Sequence, residues 1–326
     1  MRFLIVLAGA ATASALAAPA ARQRVTEGEL KLVFDTPPGV AREGPSWDPA
    51  GYLYFVGNNK VSRMNSEGKV EAFKDPSPGA NGTLLDPQKR LVVCESQSRR
   101  VIRIERNGSV TVLADSYEGK KFNSPNDASI DSKGRIYFSD PRYGRRDTME
   151  ILDAGGKQVE GVYRVDAPGK VARVTTHEVD RPNGLLVSPG DRYLYVADNN
   201  NNTQGGARKI WRFDLKKAGT IDPASRKLIF DWHTARGPDG FKMDRQGRLF
   251  VAAGLNRASR FETIDEYKGG VFIISPEGKL IEFVPLPKDE TTNLAFGGPD
   301  LKTLYITCGG SLYSIRVKTA GLITAR

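Results

Sequence analysis

Six segments of this chain repeat one pattern at intervals of roughly 50 residues. Each segment begins with a side chain that carries an oxygen donor and continues through a hydrophobic strand, a tight polar turn and a second strand. Short strands and Gly-bearing turns repeated at this period are typical of a β-propeller or another repeat array. The copies begin at Glu43, Asn81, Asn126, Asn183, Asp239 and Asn293.

A second hairpin follows four of the copies, with apolar and polar residues alternating on either side of a Gly-containing turn. This alternation indicates an outer hairpin with one buried face, so each blade should contain four antiparallel strands. The fourth copy is followed by two candidate strands, residues 209–214 and 227–231, with a longer connection between them. The sequence therefore predicts an all-β fold, a six-bladed β-propeller.

The last copy lacks a clear fourth strand, while the segment KLVFD at residues 31–35 lacks a hairpin partner. KLVFD closely resembles KLIFD at residues 227–231, which is a predicted outer strand. We therefore expect an N-terminal strand to complete the last blade. Such closure joins the two chain ends by a sheet ladder and leaves no exposed inner edge.

Residues 1–21 have the pattern of a secretory signal peptide, with an Arg, an apolar run and a small-residue cleavage site. We expect cleavage near residue 21, export to the periplasm or the medium, and one propeller domain over residues 22–326. No later stretch approaches the roughly 18 continuous apolar residues of a transmembrane helix, so we expect no membrane span.

The net charge is +10, from 48 Lys and Arg residues against 38 Asp and Glu residues. These charges are scattered over every blade without the clustered basic stripe of a nucleic-acid surface, so we expect no nucleic-acid partner. Cys94 and Cys308 fall in blades that are not neighbours in sequence, which favours two separate buried thiols over a disulfide. The sequence leaves the oligomeric state open.

Equivalent blades would bring the six leading side chains into one ring. That ring holds two carboxylates and four amides, the oxygen ligands that a hard cation such as Ca²⁺ prefers. Glu43 and Asp239 would balance a divalent charge, and Asn183 and Asn126 would add neutral carbonyl oxygens. Zinc fits poorly, because no Cys or His stands at ligand spacing.

The common catalytic motifs, a nucleophile elbow, a Gly-rich phosphate loop and a Cys-x-x-Cys pair, do not occur in the sequence. An oxygen-lined cation site then favours metal-assisted attack of water on a carbonyl or phosphoryl centre. Asp239 or Glu43 would serve as the general base. Asn81 and Asn293 would complete the channel wall without contacting the ion.

Four short segments are the most specific for a known family: EGPSW, NSPND, RPNG and GPDG, which begin at Glu43, Asn123, Arg181 and Gly237. With them, the mature chain resembles the gluconolactonase, regucalcin (senescence marker protein 30) and luciferin-regenerating-enzyme family of calcium-dependent six-bladed propellers. Residues 94–101, 117–120 and 140–144 are most similar to the bacterial gluconolactonase branch.

The resemblance implies a role for several ring residues. It implies Glu43, Asn183 and Asp239 as the metal ligands, and Asn126 as a fourth ligand or a substrate contact. It also implies Asp239 as the general base for opening a lactone whose carbonyl is polarised by calcium.

The resemblance further implies substrate contacts from three residues near the channel mouth: Glu95, Arg99 and Tyr143. One position departs from the pattern, since this chain has Ser96 where the bacterial branch often has His. The exact substrate is therefore left open.

Together these features predict an exported calcium-dependent lactonase that hydrolyses a sugar lactone such as gluconolactone to the aldonic acid. Two alternatives remain at this stage. The first is a non-catalytic propeller that binds a small ligand and is stabilised by calcium. The second is a hydrolase that acts on an organophosphate or another ester.

Overall fold

The computed structural model of the chain describes residues 24–35 and 38–323, and the predicted signal peptide lies outside them. The described residues form six four-stranded antiparallel sheets. Each innermost strand contacts the innermost strand of the next sheet around a closed ring. This is the architecture of a six-bladed β-propeller, and the predicted fold class is confirmed.

The strands are numbered in chain order, and each blade begins with its innermost strand. The N-terminal strand is β1 (Thr26–Phe34). Blade 1 contains β2 (Glu43–Asp48), β3 (Tyr52–Gly57), β4 (Lys60–Met64) and β5 (Val70–Lys74). Blade 2 contains β6 (Ala80–Leu85), β7 (Leu91–Glu95), β8 (Arg100–Ile104) and β9 (Val110–Ala114). A small hairpin, β10 (Ser116–Tyr117) and β11 (Lys120–Lys121), follows blade 2.

Blades 3 to 6 continue the same meander. Blade 3 contains β12 (Ala128–Ile130), β13 (Ile136–Asp140), β14 (Gly161–Ala167) and β15 (Lys170–Arg173). Blade 4 contains β16 (Pro182–Val187), β17 (Tyr193–Asn199), β18 (Arg208–Leu215) and β19 (Ile221–Asp231). Blade 5 contains β20 (Phe241–Met243), β21 (Leu249–Ala253), β22 (Gly270–Ile274) and β23 (Leu280–Pro285). Blade 6 contains β24 (Thr291–Gly297), β25 (Thr303–Cys308) and β26 (Ser311–Val317). Two 3₁₀ turns, Arg146–Thr148 and Pro189–Asp191, are the helical elements of the described residues.

The N-terminal strand closes the propeller. Strand β1 pairs antiparallel with β26, with Thr26 opposite Val317 and Leu32 opposite Tyr313. A side chain of blade 5 anchors the start of β1, because Glu282 Oε2 accepts the backbone N–H of Thr26 at 3.1 Å. The predicted closure is confirmed, and the strand begins before the predicted segment 31–35.

The predicted long connection in the outer hairpin of blade 4 is wrong. Strand β18 ends at Leu215 and β19 already begins at Ile221, and these two buried residues pair with each other. The apolar pair extends the ladder past the predicted strand ends. The register of this ladder shifts between Arg212 and Asp214. There the hydroxyl of Ser225 accepts the backbone N–H of Asp214 at 2.8 Å.

A buried aspartate organises the tight turn between the first two strands in several blades. In blade 3, Asp131 Oδ1 accepts the backbone N–H groups of Lys133 and Arg135, each at 3.0 Å, and Oδ2 accepts Arg135 Nε at 2.6 Å. Such a side chain accepts hydrogen bonds from backbone N–H groups of the turn that would otherwise bind water. Equivalent turns are built on Asp86 and Asp244.

In the described part of the chain, the apolar core is divided into six clusters, one at each interface between neighbouring blades. Between blades 2 and 3, the rings of Phe122, Phe138 and Tyr163 pack with centroids 5.0 to 5.6 Å apart. Apolar packing between neighbouring blades therefore stabilises the ring, and the polar channel lies along the axis that the blades surround.

Cys94 and Cys308 are both free and buried, as the sequence predicts. Among the described residues, no helix has the length and apolar character needed to cross a membrane.

Candidate active site in the central channel

The six leading residues of the repeats lie at the same end of the innermost strands. Four of them occupy one of the first three positions of a strand, while Asn126 and Asp239 lie two residues before one. All innermost strands run in the same direction along the channel, because each blade begins with its innermost strand. The six side chains therefore form one ring around the axis.

Glycine follows the leading residue in four of the six copies because neighbouring blades approach closely there. A Cβ atom on Gly44 would lie 2.1 Å from the carbonyl oxygen of Asn81, and one on Gly184 would lie 2.3 Å from that of Asp239. Real Cβ atoms do not approach other atoms so closely, so four of the six ring residues require a glycine on the preceding blade. The same holds at Gly82 against Asn126 and at Gly240 against Asn293.

Asn293 links two carboxylates of the channel. Its Nδ2 donates to Glu43 Oε2 at 3.1 Å and to Asp127 Oδ2 at 3.4 Å. Its Oδ1 accepts the N–H of Leu294 at 2.9 Å and Lys242 Nζ at 3.3 Å. Both ends of the amide are therefore engaged by the protein, and Asn293 acts as a part of the channel wall.

Asp127 is a channel carboxylate to which the sequence analysis gave no role. Its side chain is buried, and its Oδ1 accepts the N–H of Ala128 at 2.8 Å. A signal for it exists in the repeats, because the third copy has Asp at the position where four other copies have Gly. The channel therefore holds one more negative charge than the six leading residues suggest.

The ionised form of Glu43 is disfavoured in the absence of a cation. Burial raises the pKa of Glu43 well above its usual range, and the carboxylates of Asp239 and Asp127 raise it further. The N–H of Gly44, which donates to Oε2 at 3.0 Å, and the amide of Asn293 oppose this shift. A positive charge bound between these carboxylates would relieve the repulsion.

Asp239 has an arginine beside it. Burial raises the pKa of Asp239 to about 6, although the guanidinium of Arg236 lowers it. Arg236 Nη2 donates to Asp239 Oδ2 at 3.2 Å. Sequence reasoning missed Arg236, because its position three residues before Asp239 gives no sign that the side chain turns back toward the channel.

Asn183 and Tyr143 meet at the ring. Asn183 Nδ2 donates to the phenol oxygen of Tyr143 at 2.8 Å. Because this bond uses the amide nitrogen, Oδ1 of Asn183 is left as the free ligand atom. Burial raises the pKa of Tyr143, so its phenol stays protonated at neutral pH. Of the three predicted substrate contacts, Tyr143 is the one that reaches a ring residue.

Asn126 and Asn81 present uncommitted amides. Neither side chain makes a hydrogen bond with another described residue, whereas the backbone carbonyl of Asn126 accepts the N–H of Gly82 at 2.6 Å. The structure thus holds the backbone of Asn126 and leaves its side-chain oxygen available to an ion or a substrate.

Glu95 is placed inside blade 2. It is 0% exposed, and its oxygens accept Ser77 Oγ and Arg100 Nε, each at 2.7 Å. Ser96, next in the chain, donates to the carbonyl oxygen of Gly79 at 2.8 Å. These contacts fix the loop that enters the second blade and do not support the predicted contact of Glu95 with a sugar hydroxyl.

Arg99 ties together the loops near the channel mouth. Its guanidinium donates to the carbonyl oxygens of Phe122 and Thr148, the latter at 3.2 Å, and forms an ion pair with Glu150 at 2.9 Å. The predicted sugar contact would have to share a guanidinium that already holds two loops. The structure therefore gives Arg99 a structural role at the mouth.

The donor set of the ring fits a hard divalent cation. In the described ranges, no three His, Cys, Asp or Glu side chains are grouped to hold a metal ion. A cation in the ring would therefore combine carboxylate oxygens with amide oxygens and water, as calcium does. The free Oδ1 of Asn183 and the repulsion between the buried carboxylates match this requirement.

Comparison with known proteins finds a family profile and relatives that match most of the chain. The sequence profile described as SMP-30/Gluconolactonase/LRE-like region matches residues 41–310, which include all six leading residues. The gluconolactonase of Zymomonas mobilis is 31% identical over 309 residues, covering 91% of this chain and 78% of the relative. Regucalcin of Xenopus laevis is 30% identical over 277 residues, covering 82% of this chain and 83% of the relative.

A solved structure extends the comparison to the fold. The gluconolactonase of Xanthomonas campestris superimposes with a TM-score of 0.71 at 27% identity, covering 88% of this chain and 89% of that protein. The likeness thus spans the propeller as a whole.

Proposed function

Because the chain belongs to the SMP-30/gluconolactonase/LRE-like family, we propose that it hydrolyses the ester bond of a sugar lactone, such as gluconolactone, to give the open aldonic acid. Relatives that are gluconolactonases support a lactone hydrolase. The finer part of the proposal is that hydrolysis requires a divalent metal ion, calcium in the first place, and that the enzyme acts after export.

The observation that carries this proposal is an oxygen-only donor set at one end of the channel, in which the carboxylates of Glu43 and Asp239 lie close enough to repel each other. Glu43, Asn183 and Asp239 would hold the metal ion, with Asn126 as a fourth ligand or a substrate contact. When bound, a divalent cation supplies Lewis-acid polarisation of the lactone carbonyl.

Asp239 supplies the general base in this proposal. Its carboxylate lies in the channel wall, where it can accept a proton from the attacking water. The Arg236 guanidinium holds Oδ2 at 3.2 Å and so orients the carboxylate in the channel wall.

Tyr143 supplies a hydrogen-bond donor next to the reaction centre. Its phenol oxygen already accepts Asn183 Nδ2, which leaves the hydroxyl proton free to bind a substrate oxygen. Its raised pKa keeps that proton in place.

The proposal is tested by an indicator assay of glucono-1,5-lactone hydrolysis with metal-free protein, with added Ca²⁺ and with a chelator. We expect turnover above the spontaneous rate with Ca²⁺ and its loss with the chelator. Asp239→Asn should lower kcat/KM by at least about 100-fold because general-base catalysis and a charged ligand are both lost.

The matched control is Asp115→Asn, which removes an exposed carboxylate near the outer strand of blade 2 and should leave kcat/KM unchanged. Folding of both variants is checked by thermal melting. Absence of hydrolysis of any five- or six-membered sugar lactone would overturn the lactonase proposal. Full activity of protein shown to be metal-free would overturn the metal requirement alone, and phosphotriester turnover above lactone turnover would favour the other ester hydrolase.

A further inference from the structure

A second polar site lies at the rim of the propeller between blades 3 and 4. It is a cavity of about 490 Å³, which we call the rim cleft. The charged and titratable side chains that line it are Arg146, Lys157, Glu160, His177, Asp180 and Arg181. His177 pairs with Asp153 outside the cleft lining. Among the other charged side chains, three cations against two carboxylates leave one positive charge in the cleft.

The acceptor capacity of Glu160 is fully used inside the protein. Its Oε2 accepts the N–H of Arg142 at 2.9 Å and Arg181 Nε at 2.8 Å. Its Oε1 accepts Arg181 Nη2 at 3.1 Å and Arg146 Nη1. Four hydrogen bonds fill the lone-pair sites of an ionised carboxylate, so Glu160 serves to hold two guanidinium groups at the cleft.

The unused hydrogen-bonding groups of the cleft are mostly donors. Among the described residues, Arg146 makes no side-chain hydrogen bond other than the one to Glu160, and the ammonium of Lys157 makes none. The buried Asn200 adds an acceptor, Oδ1, that has no partner. Asp180, the second carboxylate, is exposed and already accepts Asn200 Nδ2 at 2.6 Å. A ligand rich in acceptors and negative charge fits this set.

One tyrosine side chain separates the rim cleft from the ring. The guanidinium of Arg181 lies 5.4 Å from the centroid of the Tyr143 ring, and the other end of that side chain accepts Asn183 Nδ2. Asn202, which also lines the cleft, donates to the carbonyl oxygen of Tyr143 at 3.3 Å. A sugar bound at the ring would therefore lie one tyrosine side chain away from the cleft.

We propose that the rim cleft binds an anionic oxygen group, a carboxylate or a phosphate, carried by the far end of the sugar whose lactone lies at the ring. This inference rests on the proposed function for the position of the lactone, but binding to the cleft requires no catalysis. Charge-assisted hydrogen bonds from Arg146 and Lys157 supply the selectivity.

The test is calorimetric binding of three open sugar acids to the Ca²⁺-loaded protein: gluconate, glucarate and 6-phosphogluconate. They differ at C6, which bears a hydroxyl, a carboxylate or a phosphate. We expect at least one of glucarate and 6-phosphogluconate to bind about tenfold or more tightly than gluconate, as one or two charge-assisted hydrogen bonds predict. The stronger of the two identifies the anionic group.

The double variant Arg146→Gln/Lys157→Gln should reduce this preference to less than about twofold and leave gluconate affinity unchanged. The control Arg226→Gln/Lys227→Gln removes the same charges from the exposed outer strand β19 and should retain the preference. Thermal melting verifies that each variant is folded.

Equal affinity of all three acids for the native protein, or a preference that survives in the cleft variant, would overturn the inference. The calorimetric test measures equilibrium binding and requires no catalysis. Failure of lactone hydrolysis would therefore overturn the proposed function, whereas the binding preference of the cleft would still be decided by calorimetry.

Discussion

At the residue scale, the asparagines of the ring differ in what their amides already bind. Asn293 holds Glu43 and Asp127 together, whereas Asn81 makes no side-chain hydrogen bond within the described residues. Asn293→Ala should lower the free energy of unfolding by about 1–3 kcal/mol, because Glu43 and Asp127 each lose a hydrogen bond in the channel. Asn81→Ala should change it by less than about 0.5 kcal/mol.

Urea unfolding of the two variants checks this difference. Both substitutions shorten an asparagine of the same ring, so their comparison isolates the effect of the hydrogen bonds. Equal destabilisation would show that Asn293 does not hold the carboxylates in solution.

Asp140 should make the stability of the protein depend on pH. It accepts the N–H groups of Asn123 and Ser124, each at 2.8 Å, and thereby holds the loop that leads to Asn126. Burial raises the pKa of Asp140 to about 7. The folded state therefore binds this proton more tightly than the unfolded state, and the contribution of Asp140 to stability falls as pH rises from about 4 through 7.

Asp140→Asn should flatten the dependence of the unfolding free energy on pH between pH 5 and 7. One titrating group contributes at most about 1.4 kcal/mol per pH unit. Urea unfolding at pH 5, 6, 7 and 8 measures the slope, and Asp115→Asn serves as the exposed control that should keep it. A slope unchanged in Asp140→Asn would contradict the assignment.

Sequence alone could locate the ring residues but could not determine which way their neighbours turn. Glu95 and Tyr143 were both predicted at the mouth, yet Glu95 binds Ser77 and Arg100 within its own blade, while Tyr143 reaches Asn183. Side-chain direction there depends on hydrogen bonds between residues distant in sequence, which no repeat pattern contains.

At the element scale, the glycine that follows four of the six leading residues sets how closely the innermost strands approach there. Gly184→Ala should destabilise the protein by about 1–3 kcal/mol or more, because its Cβ would lie 2.3 Å from the carbonyl oxygen of Asp239 and force blades 4 and 5 apart. Loss of lactone turnover should accompany it, since Asp239 itself would move.

Gly144→Ala is the matched control, because the nearest heavy atom to its Cβ would be 3.8 Å away. Its melting temperature should match that of the native protein. Equal melting temperatures for Gly184→Ala and the native protein would show that the innermost strands of blades 4 and 5 can move apart without loss of stability.

The strands themselves were predictable because each hairpin carries its own alternation and turn residues. The exception is the outer hairpin of blade 4, whose strand β19 contains the polar run from Asp222 to Lys227. An exposed outer strand needs few apolar residues, so the sequence of β19 has no clear alternation of apolar and polar residues. The pair of Leu215 and Ile221, which starts the hairpin, could not be recognised from the sequence for that reason.

At the scale of the whole molecule, the closed ring depends on the pairing of the two chain ends. Six similar repeats predict a propeller because each blade can bury its faces only against its neighbours. The described residues show that closure, with β1 completing the sheet of β24, β25 and β26. Export of the chain lies outside what the described residues show and stays a prediction.

Two truncations separate the predicted signal peptide from the closing strand. A chain that begins at residue 22 retains β1 and should fold to the native propeller. A chain that begins at residue 36 loses β1, which leaves β26 as an open edge and removes the contacts of Val33 and Phe34 with the core cluster between blades 6 and 1. We expect its melting temperature to fall by more than about 10 °C, or the protein to aggregate, because several kcal/mol of stability are lost.

Thermal melting and light scattering of both chains provide the measurement. Identical melting of the two would mean that the ring is held by the other blade interfaces and that β1 merely covers an edge.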